Sequence, residues 1–388
     1  MSRKTLFAGC SAHFIQDGLV ALQYVLLPIL AQQFNLNYAQ VGFLRAVGHS
    51  AMTILEVPAG MLAEKFGEPK LMVFGLLCAG AGYLGIAHAG SFVLLAAYML
   101  LAGVGAGFQH SLSSSLIVRA YDKGGRRHAM GIYNSTGDAG KLTYTGLFGL
   151  AIGAGMSWSM TVVALAATAV LAAFLVWHLL GKNHHLAAAE RGRGDSESSQ
   201  GGWGITAPAR FTALAVLVFL DSIIQAVFLT FLAFVVLENG FSESIASMSV
   251  VLALVGGMLG KFAAGRLAGR QGDRSAFITL QLLTVAGLSA LVLINSIALL
   301  VLLPLIGLLV QGTSTVTYGS VPDFVNEHRH SRGYALIYTV SSSSSVVGPF
   351  LAGAIADAWS LDLVVWGLAV IALVSVPLGL VLGNHRHG

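Results

Sequence analysis

Twelve long apolar segments follow one another along this chain, and each is close to the length that crosses a lipid bilayer. A transmembrane helix needs about 20 consecutive, mostly apolar residues. The segments cover residues 6–33, 39–62, 70–89, 92–118, 127–154, 158–181, 209–237, 244–268, 275–295, 297–321, 332–356 and 361–383. Charged residues make up only 10% of the 388, against about 25% in soluble domains. A surface with so little charge must face lipid, so we predict an all-α membrane protein with twelve transmembrane helices.

A polar stretch divides these segments into two sets of six. Residues 182–207 contain histidines, arginines and the run from Asp195 to Gly202. Such a composition is typical of a flexible linker. We therefore predict an N-terminal six-helix bundle over residues 1–182, a linker over 183–207 and a C-terminal six-helix bundle over 208–388.

Lysine and arginine are concentrated in alternate connections between the segments. If the N-terminus, with Arg3 and Lys4, is cytoplasmic, the cytoplasmic connections and tails hold all but three of the 21 basic residues, and the outer loops hold none. This alternation is what the positive-inside rule predicts, and one miscounted helix would destroy it. We expect an inner (plasma) membrane protein with both termini in the cytoplasm. The three remaining basic residues, Arg45, Lys141 and Lys261, fall inside predicted helices.

A short motif ends the second and the eighth segments. Residues 60–67 and residues 265–272 both read Gly-x-Leu-Ala-x-basic-x-Gly. Glycines permit a tight turn and close helix approach. We predict a gating loop formed by Gly60, Glu64, Lys65 and Gly67.

Twelve helices, a central linker and this loop in both halves resemble the major facilitator superfamily over the whole chain. Within it, residues 103–110 and 131–140 resemble the fosmidomycin-resistance-like branch. The resemblance implies secondary active transport, in which two bundles rock about a central site at mid-membrane depth. One departure from the pattern of drug/proton antiporters weakens the case for drug efflux. Residues 144–146, Tyr-Thr-Gly, stand where drug/proton antiporters usually carry a Gly-Pro step.

The sequence Gly137-Asp138-Ala139-Gly140-Lys141 places two formal charges inside the fifth segment. Residues three apart share one face of a helix, so Asp138 and Lys141 can pair with each other or contact cargo. Ionisable groups at this depth are costly, face a bundle interior or a water-filled cavity, and mark functional sites. A purely structural ion pair is the alternative interpretation.

Other ionisable groups recur at helical spacing. His13 and Asp17 are four apart in the first segment, and Asp221 and Gln225 are four apart in the seventh. Histidine and carboxylate groups exchange protons when their surroundings shift them, although hydrogen bonding between helices would explain them equally. The predicted proton-coupling residues are His13, Asp17, Asp138 and Asp221.

The embedded cations favour an anionic cargo. Arg45 lies too deep for a simple loop position and can bind an anion through two parallel hydrogen bonds, although its side chain can also reach the outer headgroups. The predicted substrate-binding residues are Arg45, His49, His110, Asp138, Lys141, Gln225, Gln311 and Tyr338. We expect Asp17, Arg45, Asp138 and Lys141 to share one hydrated pocket.

The sequence therefore predicts a secondary active transporter that moves a small polar, anionic solute by alternating access, coupled to protons. Three alternatives stay open: a drug/proton antiporter with hydrophobic cargo, a transporter of a metal or metal chelate in which His13, His49 and His110 converge, and a non-transporting membrane receptor or enzyme, against which the two-fold repeat argues. A chain without a nucleophile–base pattern or phosphate-binding loop is not expected to be an enzyme or an ATP-driven pump. We expect a monomer whose partners are substrate, protons and the bilayer, with no nucleic acid, cofactor or resident metal.

Overall fold

The computed structural model describes residues 2–121, 123–181, 203–294, 296–326 and 330–383. Within these residues the chain is helical, and no strand is present. The α-helices, numbered in chain order, are α1 Ser2–Phe34, α2 Tyr38–Phe66, α3 Glu68–Ala87, α4 Phe92–Gly107, α5 His110–Ala120, α6 Lys123–Gly153, α7 Trp158–Leu180, α8 Pro208–Glu238, α9 Glu243–Gln271, α10 Asp273–Leu293, α11 Ile297–Gly319, α12 His330–Ala358 and α13 Leu361–Leu378. Most of the predicted linker, residues 183–207, lies outside the described residues.

These helices match the twelve predicted segments, because α4 and α5 together occupy the fourth segment. In the described residues, 10 spans are long and apolar enough to cross a membrane. The other two long helices, α2 and α6, have 29 and 31 residues. Charged and polar side chains make them less apolar, which is expected of helices that contribute an internal polar face. The all-α membrane fold is confirmed.

The fourth segment was predicted as one continuous helix, and the structure divides it. Helix α4 ends at Gly107 and α5 begins at His110. A Cβ at Gly105 would lie 2.5 Å from the carbonyl oxygen of Gly75, and one at Gly107 would lie 2.8 Å from Cβ of Leu55. The glycines that allow this packing also lower the helix propensity of the segment, so the break falls directly after them.

By its contacts the chain divides into two compact units. Unit 1 comprises Met1–Phe34 and Val47–Gln200, and unit 2 comprises Asn35–Ala46 and Gly201–Gly388. One core of unit 1 packs Ala8 and Ala12 of α1 against Leu76, Phe108 and Val176. The main core of unit 2 includes Leu214, Leu217, Phe277, Leu280 and Val316. Residues 38–46 of α2 are therefore assigned to unit 2, and the rest of that helix, from Val47, is assigned to unit 1.

The repeated motif forms the same tight turn in each unit. Helices α2 and α3 are joined by Gly67 alone, and α9 and α10 by Gly272 alone. Both glycines have positive φ, 83° and 85°, a conformation that side chains with a Cβ rarely adopt. Each is followed at once by a buried acid, Glu68 at 4% exposure and Asp273 at 6%.

Candidate functional site

Two glycines bring α6 against α1. A Cβ at Gly140 would overlap the carbonyl oxygen of Phe14, and a Cβ at Gly137 would lie 2.5 Å from Cε1 of His13. Only glycine lets two helices approach this closely. The stretch that supplies two charges to α6 therefore also brings those charges to α1.

Asp17 on α1 is the centre of the resulting group of side chains. Its side chain is 8% exposed, and Oδ2 lies 3.1 Å from Lys141 Nζ. Oδ2 is also 3.4 Å from Nε2 of His13, and Oδ1 is 3.5 Å from Nε2 of His110. Lys141 Nζ reaches Asp138 Oδ1 at 3.4 Å. We call His13, Asp17, His110, Asp138 and Lys141 the Asp17 cluster.

The hydrogen bonds of His13 assign its tautomer. Nδ1 lies 2.9 Å from the backbone carbonyl oxygen of Tyr133. A carbonyl oxygen can only accept, so Nδ1 carries the hydrogen and donates it, which leaves a lone pair on Nε2 of the neutral ring. The ring also stacks on that of Tyr133 with centroids 4.0 Å apart. Nε2 therefore faces a carboxylate oxygen, and two acceptors at that distance repel each other unless a proton lies between them.

The members of the Asp17 cluster differ in surface exposure. The His110 and Lys141 side chains are 32% and 33% exposed, whereas those of His13 and Asp17 are 7% and 8% exposed. Two carboxylates face one ammonium group, so with neutral imidazoles the cluster carries one excess negative charge. One added proton would neutralise it.

Unit 2 contains a second buried carboxylate, Asp221 on α8, which is 3% exposed. Oδ2 accepts hydrogen bonds from Gln225 Nε2 at 2.8 Å and from Thr313 Oγ1 at 2.9 Å. Oδ1 accepts one from Gln281 Nε2 at 2.9 Å. We call these four residues the Asp221 cluster. Like the Asp17 cluster, it is built around a buried carboxylate, but all three of its hydrogen-bond donors are neutral.

Two further predicted substrate-binding residues lie in unit 2. Gln311 donates to the backbone oxygen of Ala253 at 3.3 Å, so its amide joins α11 to α9. Tyr338 is 50% exposed, and its ring stacks on that of Tyr318 with centroids 5.1 Å apart. Tyr338 is therefore half-exposed, and its role in binding stays a prediction.

Arg45 and His49 were also predicted to bind substrate. Arg45 is 1% exposed and belongs to unit 2, so its guanidinium is enclosed by protein. His49 lines a small cavity in unit 1 together with Gln23 and Tyr83. Among the described residues, the side chains that lie close enough together to hold a metal ion are those of His13, Asp17 and His110. The expectation that His49 converges with the other two histidines is wrong, and Asp17 stands in its place.

The predicted gating loop is described only in part. Gly67 makes the α2–α3 turn, and a Cβ at Gly60 would meet nothing within 4 Å. The Lys65 ammonium lies 5.4 Å from the ring centre of Phe66. The side chain of Glu64 lies outside the described part of the structure. Gating by this loop stays a prediction.

Sequence reasoning missed several partners. Tyr133 and Gln281 hold the central side chains of the two clusters, but Tyr and Gln are common enough in helices to give no signal alone. Thr313, which also bonds Asp221, is recognisable in sequence only as one of several polar residues that pack helices or line a cavity. Glu68 was also missed, although it forms an ion pair with Arg119 of α5. Its signal was available, because Glu68 and Asp273 each follow the last glycine of the repeated motif.

The fold and the site together define a multi-pass membrane protein of the transporter class, since apolar helices enclose the few ionisable groups. The family model of the Major Facilitator Superfamily matches residues 9–215 and 214–387. The chain belongs to the Major Facilitator Superfamily.

Three relatives illustrate the range of this similarity. The 3-(3-hydroxy-phenyl)propionate transporter of Escherichia coli (strain K12) is 24% identical over 89% of this chain and 87% of its own. The fosmidomycin resistance protein of Escherichia coli (strain K12) is 29% identical, over only 33% of this chain and 32% of its own. The crystal structure of the nucleoside transporter NupG (D323A mutant) superposes with a TM-score of 0.80 at 12% identity, covering 97% of this chain and 99% of that one. At that identity the superposition shows the fold alone.

Proposed function

We propose that this protein is a secondary transporter of a small organic anion, coupled to protons through the Asp17 cluster. The observation that carries the proposal is the contact between His13 and Asp17. Nδ1 of His13 donates to a carbonyl oxygen at 2.9 Å, and Nε2 faces Oδ2 of Asp17 at 3.4 Å. A shared proton removes the repulsion between these two acceptors, and its departure restores it.

His110 gives this proton a route to water. The imidazole of His110 is more exposed than that of His13, and its Nε2 lies 3.5 Å from Oδ1 of Asp17. Imidazole accepts and releases protons near neutral pH. A proton can therefore reach Asp17 through His110, the more exposed imidazole of the cluster.

Lys141 couples this proton to an anionic cargo. When Asp17 is ionised, it holds the ammonium group at 3.1 Å. When Asp17 is protonated, that attraction falls and the ammonium becomes available to a carboxylate or similar anion. Asp138, at 3.4 Å, keeps a counter-charge beside Lys141 in both states. Proton and anion would then enter the Asp17 cluster together, with no net change in its charge.

The comparison with known transporters supports an organic anion. The relative that spans 89% of this chain is named for 3-(3-hydroxy-phenyl)propionate, which is a carboxylate. A single carboxylate is the simplest partner for one ammonium group in a partly buried site. We extend that class of substrate, and not the individual compound, to this chain.

The test uses proteoliposomes that contain a pH-sensitive dye. We expect some members of a panel of aromatic and aliphatic monocarboxylates to drive proton movement with the parent protein. Asp17→Asn and Lys141→Ala should each reduce that flux about tenfold or more, a loss that corresponds to about 1.4 kcal/mol of transition-state stabilisation. The matched control is Asp362→Asn, which removes an exposed carboxylate in the first turn of α13. Parent-like proton flux in Asp17→Asn would contradict the proposal.

A metal cargo is the second candidate, and one observation favours it. Ligand atoms of His13, Asp17 and His110 all lie within 4.8 Å of one another. Two imidazoles and a carboxylate suit Zn²⁺ and related ions. The Lys141 ammonium competes for Asp17, which is why we place this candidate second. Stabilisation by Zn²⁺ or Mn²⁺ that is lost in His110→Ala would favour it over the organic anion.

We also propose that both termini are cytoplasmic and that six-helix bundles occupy residues 1–182 and 208–388, as the alternation of basic residues suggests. Single cysteines placed at Lys4 and in the α12–α13 connection test the orientation. An impermeant thiol reagent applied to intact cells should label only the second position.

A further inference from the structure

We infer that the Asp221 cluster of unit 2 is a binding site for a hard monovalent cation such as Na⁺. The starting point is the charge of Asp221. Among the described residues, no Lys, Arg or His lies within ion-pair distance of its carboxylate. Burial of an ionised carboxylate without a counter-charge is costly, and more so within a membrane. Something positive must therefore accompany Asp221 when it is ionised.

The two clusters differ in the group that neutralises the buried carboxylate. Asp17 and Asp221 lie at similar positions in α1 and α8, the first helix of each half. Asp17 has a resident ammonium group, Lys141 Nζ, at 3.1 Å. Asp221 has only amide and hydroxyl groups around it, at 2.8 to 2.9 Å. In unit 2 a mobile cation supplies the charge that a lysine supplies in unit 1.

A second observation also points to a bound cation, which accepts electron pairs from oxygen atoms. Gln281 is 0% exposed and Thr284, one turn further along α10, is 1% exposed. Gln281 Oε1 and Thr284 Oγ1 both lack a hydrogen-bond partner within the described structure. A buried polar atom without a partner costs about 1–3 kcal/mol, so such atoms are rare. Gln281 donates to Asp221 through Nε2, so its unsatisfied Oε1 is the second polar atom of a side chain that is already part of the cluster.

The ligand set selects the kind of cation. Turning the amides of Gln225 and Gln281 about their last side-chain bonds would present both carbonyl oxygens. With Thr313 Oγ1 and the two oxygens of Asp221, the cluster then offers five hard oxygen ligands. Oxygen-only sites favour hard cations over transition metals. One carboxylate neutralises one positive charge, so Na⁺ leaves the buried site neutral, whereas a divalent cation would leave it charged.

The experiment measures thermal unfolding of the purified full-length protein in detergent. NaCl replaces choline chloride at constant pH and ionic strength. A ligand that binds only the native state raises the melting temperature in a saturable manner. We expect such a rise with Na⁺ for the parent protein, together with binding of one ²²Na⁺ per chain. Asp221→Asn should abolish both effects, and Asp362→Asn, which removes an exposed carboxylate of the same unit, should leave both unchanged.

A second variant covers the case in which Asp221→Asn fails to fold. Thr313→Val keeps the carboxylate but removes one oxygen ligand, and should weaken the apparent Na⁺ affinity about tenfold. Three results would overturn the inference: no Na⁺-dependent shift in the parent, an equal shift in Asp221→Asn, or a shift that follows pH alone. The last result would identify Asp221 as a proton site, as the sequence predicts. Because the variants of this test lie in unit 2, its failure would leave the proposed role of the Asp17 cluster untouched.

Discussion

The contact between Asp17 and Lys141 allows a quantitative prediction by double-mutant cycle. We consider Asp17→Asn and Lys141→Met, alone and together, because both changes keep the shape of the side chain and remove its charge. Loss of one partner of a buried ion pair costs about 3–5 kcal/mol, since the other charge stays buried alone. The Lys141 side chain is 33% exposed, so water screens part of this cost. We therefore expect Lys141→Met to cost about 2–3 kcal/mol.

Substitution of the other partner, Asp17→Asn, is expected to reduce stability less. In Asp17→Asn, Lys141 keeps Asp138 as a partner at 3.4 Å, so we expect a loss of about 1–2 kcal/mol. The double variant has neither charge and should lose no more than Lys141→Met alone. The coupling energy between the two positions would then be about 1–2 kcal/mol.

Thermal unfolding in detergent measures these differences. One kcal/mol corresponds to a change in melting temperature of about 2–4 °C for chains somewhat smaller than this one, so the single variants should melt measurably below the parent. Lys70→Met, which removes an exposed lysine of α3, is the matched control and should stay within about 0.5 kcal/mol. Additive losses in the double variant would refute the buried ion pair as the link between α1 and α6.

Three further predictions concern single positions. Gly140→Ala should destabilise the protein by about 1–3 kcal/mol, because its Cβ would overlap the carbonyl oxygen of Phe14. The control Gly146→Ala, on the same helix with nothing within 4 Å of its Cβ, should stabilise the protein by about 0.5–1 kcal/mol. Equal melting temperatures of the two variants would contradict the close approach of α1 and α6. Gly272→Ala should cost about 1–2 kcal/mol in unfolding experiments, because φ there is 85° and a Cβ disfavours that conformation. Tyr338→Ala should raise the KM for an aromatic substrate in proteoliposomes and Tyr338→Phe should not, since stacking needs only the ring; an unchanged KM in both would exclude it from binding.

Much of the Asp17 cluster could be predicted from the sequence. The spacing of His13 and Asp17 places both on one helix face, and Asp138 and Lys141 follow the same rule. The flanking glycines indicate close packing. What periodicity cannot supply is the partner helix, because the contact between Asp17 and Lys141 joins residues of α1 and α6 that lie far apart in the chain.

The Asp221 cluster was harder to foresee for a different reason. Asp221 and Gln225 were predicted from their spacing, but Gln281 and Thr313 belong to α10 and α11 and look ordinary in sequence. Their importance comes from burial and from their distance to one carboxylate oxygen or the other. The break between α4 and α5 was missed as well, because glycine is common in membrane helices and does not by itself end one.

The single-residue turns have a mechanical consequence. A connection that consists of Gly67 alone leaves no spare residues, so a tilt of the C-terminal end of α2 must be transmitted to α3. Glu68, the next residue, is tied to Arg119 at the end of α5, which extends the linkage to a third helix. Any rearrangement at this turn would therefore move α2, α3 and α5 in concert, and the equivalent turn at Gly272 imposes the same coupling on α9 and α10.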